Sequence, residues 1–187
     1  MKIHLVKKEK GRVYKSEDIV RSVFGLELSH TEEGAPIVSG GEAGGLFISI
    51  SDTRSCWACC VEAHPVGLDI EEQGRPVKPS VVRRLHKDEQ SYLAVLSEGS
   101  SEWTAEFLSI WVRKEAWSKL AGKGLAAGFS GFSVLEGSVG GAYVASFEKW
   151  GLVFGIAGDS SAEVVRTAYE APFEKSALDY AAGLLDS

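Results

Sequence analysis

The segment Trp111-Val112-Arg113-Lys114-Glu115-Ala116-Trp117-Ser118-Lys119 decides how the chain is read. It lies in an apolar run from about Trp103 to Leu120 with no Pro or Gly before Gly122, and so reads as a helix. On a helix, Glu115 and Lys119 sit one turn apart on one face, with Cβ atoms ~5–6 Å apart. Lys114 projects beside them, roughly 100° round the axis. A carboxylate flanked by two ammonium groups suits a site that holds a metal ion and a polyphosphate together. Taken alone, the triplet reads first as a solvated i,i+4 salt bridge.

A second segment changes that reading. Val66-Gly67-Leu68-Asp69-Ile70-Glu71 alternates apolar and acidic residues, as a half-buried strand does. Period two puts Asp69 and Glu71 on one strand face and turns Leu68 and Ile70 into the core. Two carboxylates leaving one face can converge on a hard cation. Magnesium fits, because it takes a few carboxylates and completes its octahedron with water and phosphate oxygens. Manganese is not separated from it by these residues.

Together the two segments resemble the signature of the 4′-phosphopantetheinyl transferases: Gly-(Ile/Val)-Asp-x-Glu, some forty residues, then Trp/Phe-x-x-Lys-Glu-(Ala/Ser)-x-x-Lys. Here Gly67-Leu68-Asp69-Ile70-Glu71 is followed, with 41 residues between Asp69 and Trp111, by Trp111 and the Lys114-Glu115-Ala116 triplet, with Lys119 in place and Gly122-Lys123-Gly124-Leu125 beyond. The first half is similar to the surfactin-synthetase-type members more loosely. Gly34-Ala35-Pro36 stands where they have Gly-Lys-Pro, and Ser49-Ile50-Ser51-Asp52-Thr53 where they have a strand ending Asn-x-Ser-His-Ser.

The resemblance implies an α+β fold of two pseudo-symmetric α/β lobes, about 1–66 and 67–187, with the site in the cleft between them. It also implies a monomer. The implied activity moves the 4′-phosphopantetheine arm of coenzyme A onto a serine of an acyl or peptidyl carrier protein. Asp69, Glu71 and Glu115 would hold the metal, Glu115 would act as base, and Lys114 and Lys119 would hold phosphates. Two departures stand out. The family's Lys and His contact coenzyme A, the His at its 3′-phosphate, and this chain has Ala35 and Asp52 instead. A carboxylate ~4 Å from a phosphate charge costs about 1 kcal/mol in water and ~4 kcal/mol at an effective dielectric of 20. Ser51 is retained. Arg54, expected on the same strand face as Asp52, would replace the missing cation or neutralise Asp52. These departures leave two competitors: a non-catalytic relative that binds a nucleotide or a protein partner, and a metal-dependent phosphoester hydrolase.

Composition is that of an ordinary globular protein. The chain has 187 residues, 44% hydrophobic and 25% charged, with a net charge of −6. No run approaches the ~20 apolar residues of a membrane span, and the start, Met1 to Lys8, has no apolar leader core. The reading is therefore cytoplasmic, with no membrane association. Cys56, Cys59 and Cys60 fall in one apolar segment, which suits a buried strand better than a disulfide framework or a metal site. Lys2, Lys7, Lys8, Lys10, Arg12 and Lys15 make a basic start on an acidic body. No basic stripe is interleaved with aromatics, so nucleic-acid binding is not expected.

In order, residues 3–6 and 12–14 read as a hairpin turning at Lys10-Gly11. Ser16 reads as the cap of a helix through Phe24 that stops at Gly25. Leu46–Asp52 and Cys56–Glu62 read as a second hairpin. His86 reads as a helix boundary. Phe129–Leu135, Ala142–Lys149 and Gly151–Ala157 follow, the last two joined at Lys149-Trp150-Gly151. Two helices, starting at Asp159–Ser161 and spanning Glu174–Leu185, close the chain.

Overall fold

A computed structural model of the chain describes residues 1–8, 11, 13–32, 34–39, 45–122 and 128–159. The alternating segments are strands. Strand β1 (His4–Lys7) precedes helix α1 (Ser16–Phe24), the short pair β2 (Glu27–His30) and β3 (Pro36–Ser39), and then β4 (Phe47–Asp52) and β5 (Cys56–Glu62). Strand β6 (Val66–Glu72) carries the paired carboxylates. Helix α2 (Lys87–Leu93), the long helix α3 (Ser101–Leu120), and strands β7 (Ser138–Val139), β8 (Ala142–Lys149) and β9 (Leu152–Gly158) follow. The fold is thus a mixture of helices and antiparallel sheets, as expected. Both closing helices fall outside the described residues.

Two main sheets form, in the orders β1-β5-β4 and β6-β9-β8-β7, each antiparallel throughout. The expected β4–β5 hairpin is present, with Ser51 opposite Ala58. β8 and β9 join through Trp150 and Gly151, both with positive φ (53° and 76°), the two-residue turn whose twist suits a hairpin. The opening hairpin does not form. β1 pairs instead with β5, His4 opposite Cys59, and Val13 and Tyr14 are not in a strand. Ser16 is the first helical residue after Lys15 rather than the cap. α1 ends as expected at Gly25, φ 66°, whose N–H donates to the Arg21 carbonyl.

Period-two alternation sorts the side chains into layers. Ile3 and Leu5, then Cys56, Ala58 and Cys60, meet Leu68, Ile70, Phe154 and Ile156 in one buried cluster between the two sheets. The outer face of the first sheet, through Val6 and Cys59, receives Ile19 of α1. On the outer face of the second sheet, Val144, Val153 and Ala157 receive Phe107, Leu108, Val112 and Ala116 of α3. The order is helix, sheet, sheet, helix. The β2–β3 pair adds a smaller cluster, Leu28 and Val38 against Val20 and Ile48.

The α3 contact is close because two glycines permit it. A Cβ on Gly67 would stand 1.8 Å from the Ala116 carbonyl oxygen, and one on Gly155 would stand 2.1 Å from that of Val112. Helix backbone therefore rests directly on β6 and β9. Where the two sheets meet, β6 offers backbone groups of Leu68 and Ile70 on its free edge, and serine hydroxyls of β4 satisfy them. Ser49 Oγ accepts from Leu68 N–H at 2.9 Å and Ser51 Oγ accepts from Ile70 N–H at 3.2 Å. Gly67→Ala should destabilise the protein by about 3 kcal/mol or more, since neither backbone can yield without opening the core. Gly131→Ala, where an added Cβ meets nothing within 4 Å, should leave the melting temperature nearly unchanged.

Candidate active site

The absence of a Cβ at Gly67 decides where α3 lies, and hence what its polar side chains can reach. Lys119, in the last turn of α3, extends over β6. Its ammonium donates to Asp69 Oδ1 at 2.8 Å and to the Leu68 carbonyl at 2.9 Å. Ser51 Oγ donates to the same Asp69 oxygen at 2.7 Å. Asp69, only 9% exposed, is thus held from two directions, by α3 and by β4.

Glu115 sits one turn before Lys119. Its carboxyl is pushed up to about 7, first by burial and then by the Asp69 carboxylate, with Glu71 adding to the same effect and Lys119 opposing it. Glu71 is also raised, mainly by burial, against the pull of Arg75. Arg75 Nη2 donates to Glu71 Oε1 at 2.7 Å, and its Nε stands 2.6 Å from Oε2. Asp69, Glu71 and Glu115 are therefore within electrostatic reach of one another, but Glu71 is turned to Arg75. Among the described residues no group of three or more His, Cys, Asp or Glu side chains is set closely enough to hold a metal ion as it stands. The donor set nevertheless suits a hard divalent cation. It is all oxygen and negative, and its Glu115 carboxyl is raised by burial first and by the neighbouring Asp69 second.

Lys114 is not with these groups. Fully buried, it leaves α3 on another side, pairs with buried Glu89 at 2.9 Å and donates to the carbonyls of Phe129 (2.8 Å) and Phe132. Glu89 in turn accepts from Val134 N–H and from His86 N–H, and the His86 ring accepts from Asp88 N–H to complete the cap of α2. Every donor of the ammonium has an acceptor, so Lys114 ties α2 and the 129–134 segment to α3 and is not placed to hold a phosphate of a ligand near Asp69. That segment starts with a single turn, Phe129–Gly131.

Arg54 also differs from expectation. Strand β4 ends at Asp52, and Arg54 lies exposed in the following turn. The cation that neutralises Asp52 is Lys8, which bonds the Asp52 carboxylate, donates to the Thr53 carbonyl at 2.7 Å and stands 4.7 Å from the centre of the Trp57 ring.

Beside Lys119 opens a cavity of about 320 Å³. Its walls include Ser49 and Ile50 of β4, Trp57 of β5, His30 of β2, Ala35-Pro36, and Gly122 just past α3. This volume is at the lower end of the range of small-molecule sites. Sequence reasoning missed Ser49, His30, Trp57, Arg75 and Glu89. The Ser49-x-Ser51 spacing on a strand was the available signal for the first. Arg75 comes from only four residues past Glu71, round the turn at Gly74, while Glu89 meets Lys114 from 25 residues away.

With this geometry in hand, comparison with known proteins is informative. The family model described as the 4′-phosphopantetheinyl transferase superfamily matches residues 65–170. Three curated relatives, all so named, are similar. The 4′-phosphopantetheinyl transferase psf-1 of Bacillus pumilus is 37% identical over 120 residues, 62% of this chain and 50% of that protein. The 4′-phosphopantetheinyl transferase Sfp of Bacillus subtilis (strain 168) is 26% identical over 137 residues, 68% and 59% respectively. A further 4′-phosphopantetheinyl transferase of Bacillus subtilis is 28% identical over 110 residues, 59% and 47%. The chain belongs to the 4′-phosphopantetheinyl transferase superfamily. It spans about half to three-fifths of the length of these relatives.

Two outcomes are expected of the side chains themselves. Because the folded carboxyl of Glu115 titrates near 7 and the unfolded one near 4.5, the folded state binds more protons between those values. Stability therefore falls as pH rises from about 4.5 to 7. In thermal melts without added divalent cation, Glu115→Gln should flatten that fall. Lys114→Met leaves the Glu89 charge buried and unpaired, and should cost about 3–5 kcal/mol of stability in denaturant titration.

Proposed function

We propose that the protein transfers the 4′-phosphopantetheine arm from coenzyme A to a serine of an acyl or peptidyl carrier protein. The observation that carries the reading is the meeting of Asp69, Glu115 and Lys119 where α3 crosses β6, with Lys119 also lining a cavity of about 320 Å³. The names and similarity of the relatives support it. Coenzyme A would enter that cavity with its pyrophosphate towards Lys119. Ser51 would contribute through Asp69, which it orients. Arg54, exposed beside Asp52, is free to approach the ligand's outer end.

The serine oxygen attacks the phosphorus that carries pantetheine, the bond from that phosphorus to the bridging oxygen breaks, and 3′,5′-ADP leaves. Little covalent chemistry falls to the protein in such a transfer, which depends on positioning and charge. Glu115, or a water it orients, takes the serine proton, and a carboxyl titrating near 7 is well matched to that task. Lys119 offsets negative charge on the departing phosphate. Asp69 fixes the position of Lys119. A magnesium or manganese ion would be held by Asp69, Glu71 and Glu115, and when bound it supplies charge to the pyrophosphate oxygens.

The same proposal treats the chain as a monomer with lobes at 1–66 and 67–187. In support, the first sheet uses only residues up to Glu62 and the second only residues from Val66. It takes the protein to be cytoplasmic and not bound to nucleic acid; among the described residues no helix is long and apolar enough to cross a membrane. Asp52 weighs less against coenzyme A than the sequence suggested, because Lys8 already neutralises it.

Incubation with coenzyme A, magnesium and an apo carrier protein should add the mass of one phosphopantetheine to the carrier. Asp69→Ala should lower the rate at least ~100-fold, the loss typical when a group organising transition-state charge is removed. Absence of transfer together with tight coenzyme A binding would favour a non-catalytic binding protein, and phosphate release without carrier would favour a hydrolase.

A further inference from the structure

The position of Glu71 raises a question that its sequence spacing does not. Period two puts it on the face of Asp69, yet Arg75 donates from Nη2 to its Oε1 and stands with Nε 2.6 Å from its Oε2. This contact is built in. After β6 the chain turns through Gly74, φ 71°, and Arg75 N–H donates to the Glu72 carbonyl at 3.2 Å. That turn brings the guanidinium back over the strand end it has just left. Both side chains are largely shielded, Glu71 21% and Arg75 32% exposed, so the pair is screened less than an ordinary surface ion pair. Meanwhile Lys119 is bonded to Asp69 Oδ1 at 2.8 Å.

We propose that Arg75 is the resident counter-ion of Glu71, and that a divalent cation gains Glu71 as a ligand only by displacing it. The inference rests on the carboxylate cluster being a cation site, as the proposed function requires. Arg75 then sets the affinity of the site. With Arg75 in place, Asp69 and Glu115 meet the ion first, and the third carboxylate is obtained by exchanging one positive partner for another. A guanidinium suits this exchange, because its planar donors match a carboxylate without closing it off. Linkage requires that Arg75 and the ion weaken each other's hold on Glu71 by the same factor.

Manganese binding to the full chain, followed by calorimetry without coenzyme A, tests this directly. Arg75→Gln should bind Mn2+ roughly 5- to 30-fold more tightly than the unsubstituted protein, the range expected when a charge-assisted pair no longer competes. Arg75→Lys, which keeps the charge but not the fork, should fall between them. In Glu71→Gln the ion loses a ligand and binds more weakly, and adding Arg75→Gln to it should bring little further gain. A gain that persists without Glu71 would show a general field effect and overturn the proposal. So would equal affinity of Arg75→Gln and the unsubstituted protein, or no binding by either, once circular-dichroism melts show both folded. Failure of the transferase reading appears elsewhere, as absent phosphopantetheine transfer in the carrier-protein assay, whatever the manganese affinities are.

Discussion

The whole arrangement depends on one steric allowance: helix backbone lying against strand backbone at Gly67 and Gly155. Any side chain there would lift α3 from the sheet by the thickness of a methyl group or more. The cost would be paid in buried area along Phe107, Leu108, Val112 and Ala116. It would also separate Lys119 from Asp69, which are joined by one 2.8 Å bond. The glycine of the strand motif and the alanine of the helix motif are therefore two halves of one contact. The missing side chain of Gly67 is what lets the Ala116 carbonyl approach the strand.

Helix geometry then gives neighbouring residues separate tasks. Lys114 and Glu115 are adjacent in the chain but point some 100° apart. One enters a sealed network with Glu89 and the carbonyls of Phe129 and Phe132, and the other lies within electrostatic reach of Asp69. Buried charge is costly unless every partner is supplied. On the Lys114 side the supply is complete, which fixes the segment after α3. On the Glu115 side it is incomplete, and the carboxyl responds by holding its proton more tightly. The same physics produces a fully paired lysine on one side of α3 and a carboxyl with a raised pKa on another.

Local pattern revealed a good part of this. Alternation marked β4, β5, β6, β8 and β9, and the run from Trp103 to Leu120 marked α3, because period two and period 3.6 are properties of neighbours. The spacing of Asp69, Glu71, Glu115 and Lys119 made them the candidates for a site, and Asp69, Glu115 and Lys119 are neighbours in the structure. Partnerships made across distance did not show. β1 takes β5, more than fifty residues on, instead of the nearby segment after Gly11. Lys8 rather than Arg54 answers Asp52, because β1 runs past the β4–β5 turn while Arg54 has already left the strand. Glu89 captures Lys114 from α2, and no periodicity records that. Ser49 and Ser51 resemble ordinary strand residues until the free edge of β6 needs acceptors.

The three cysteines have a quieter consequence. All lie in β5 with their thiols out of water, and burial pushes each to a higher pKa, Cys59 to about 12. At neutral pH they stay protonated and are poor nucleophiles. The arm handled in the proposed reaction ends in a thiol of its own. An open thiolate near such a cargo would be joined to it as a mixed disulfide whenever an oxidant took up the two electrons released. Here the sulfur is spent as packing, and a cargo that ends in sulfur can come and go without being caught.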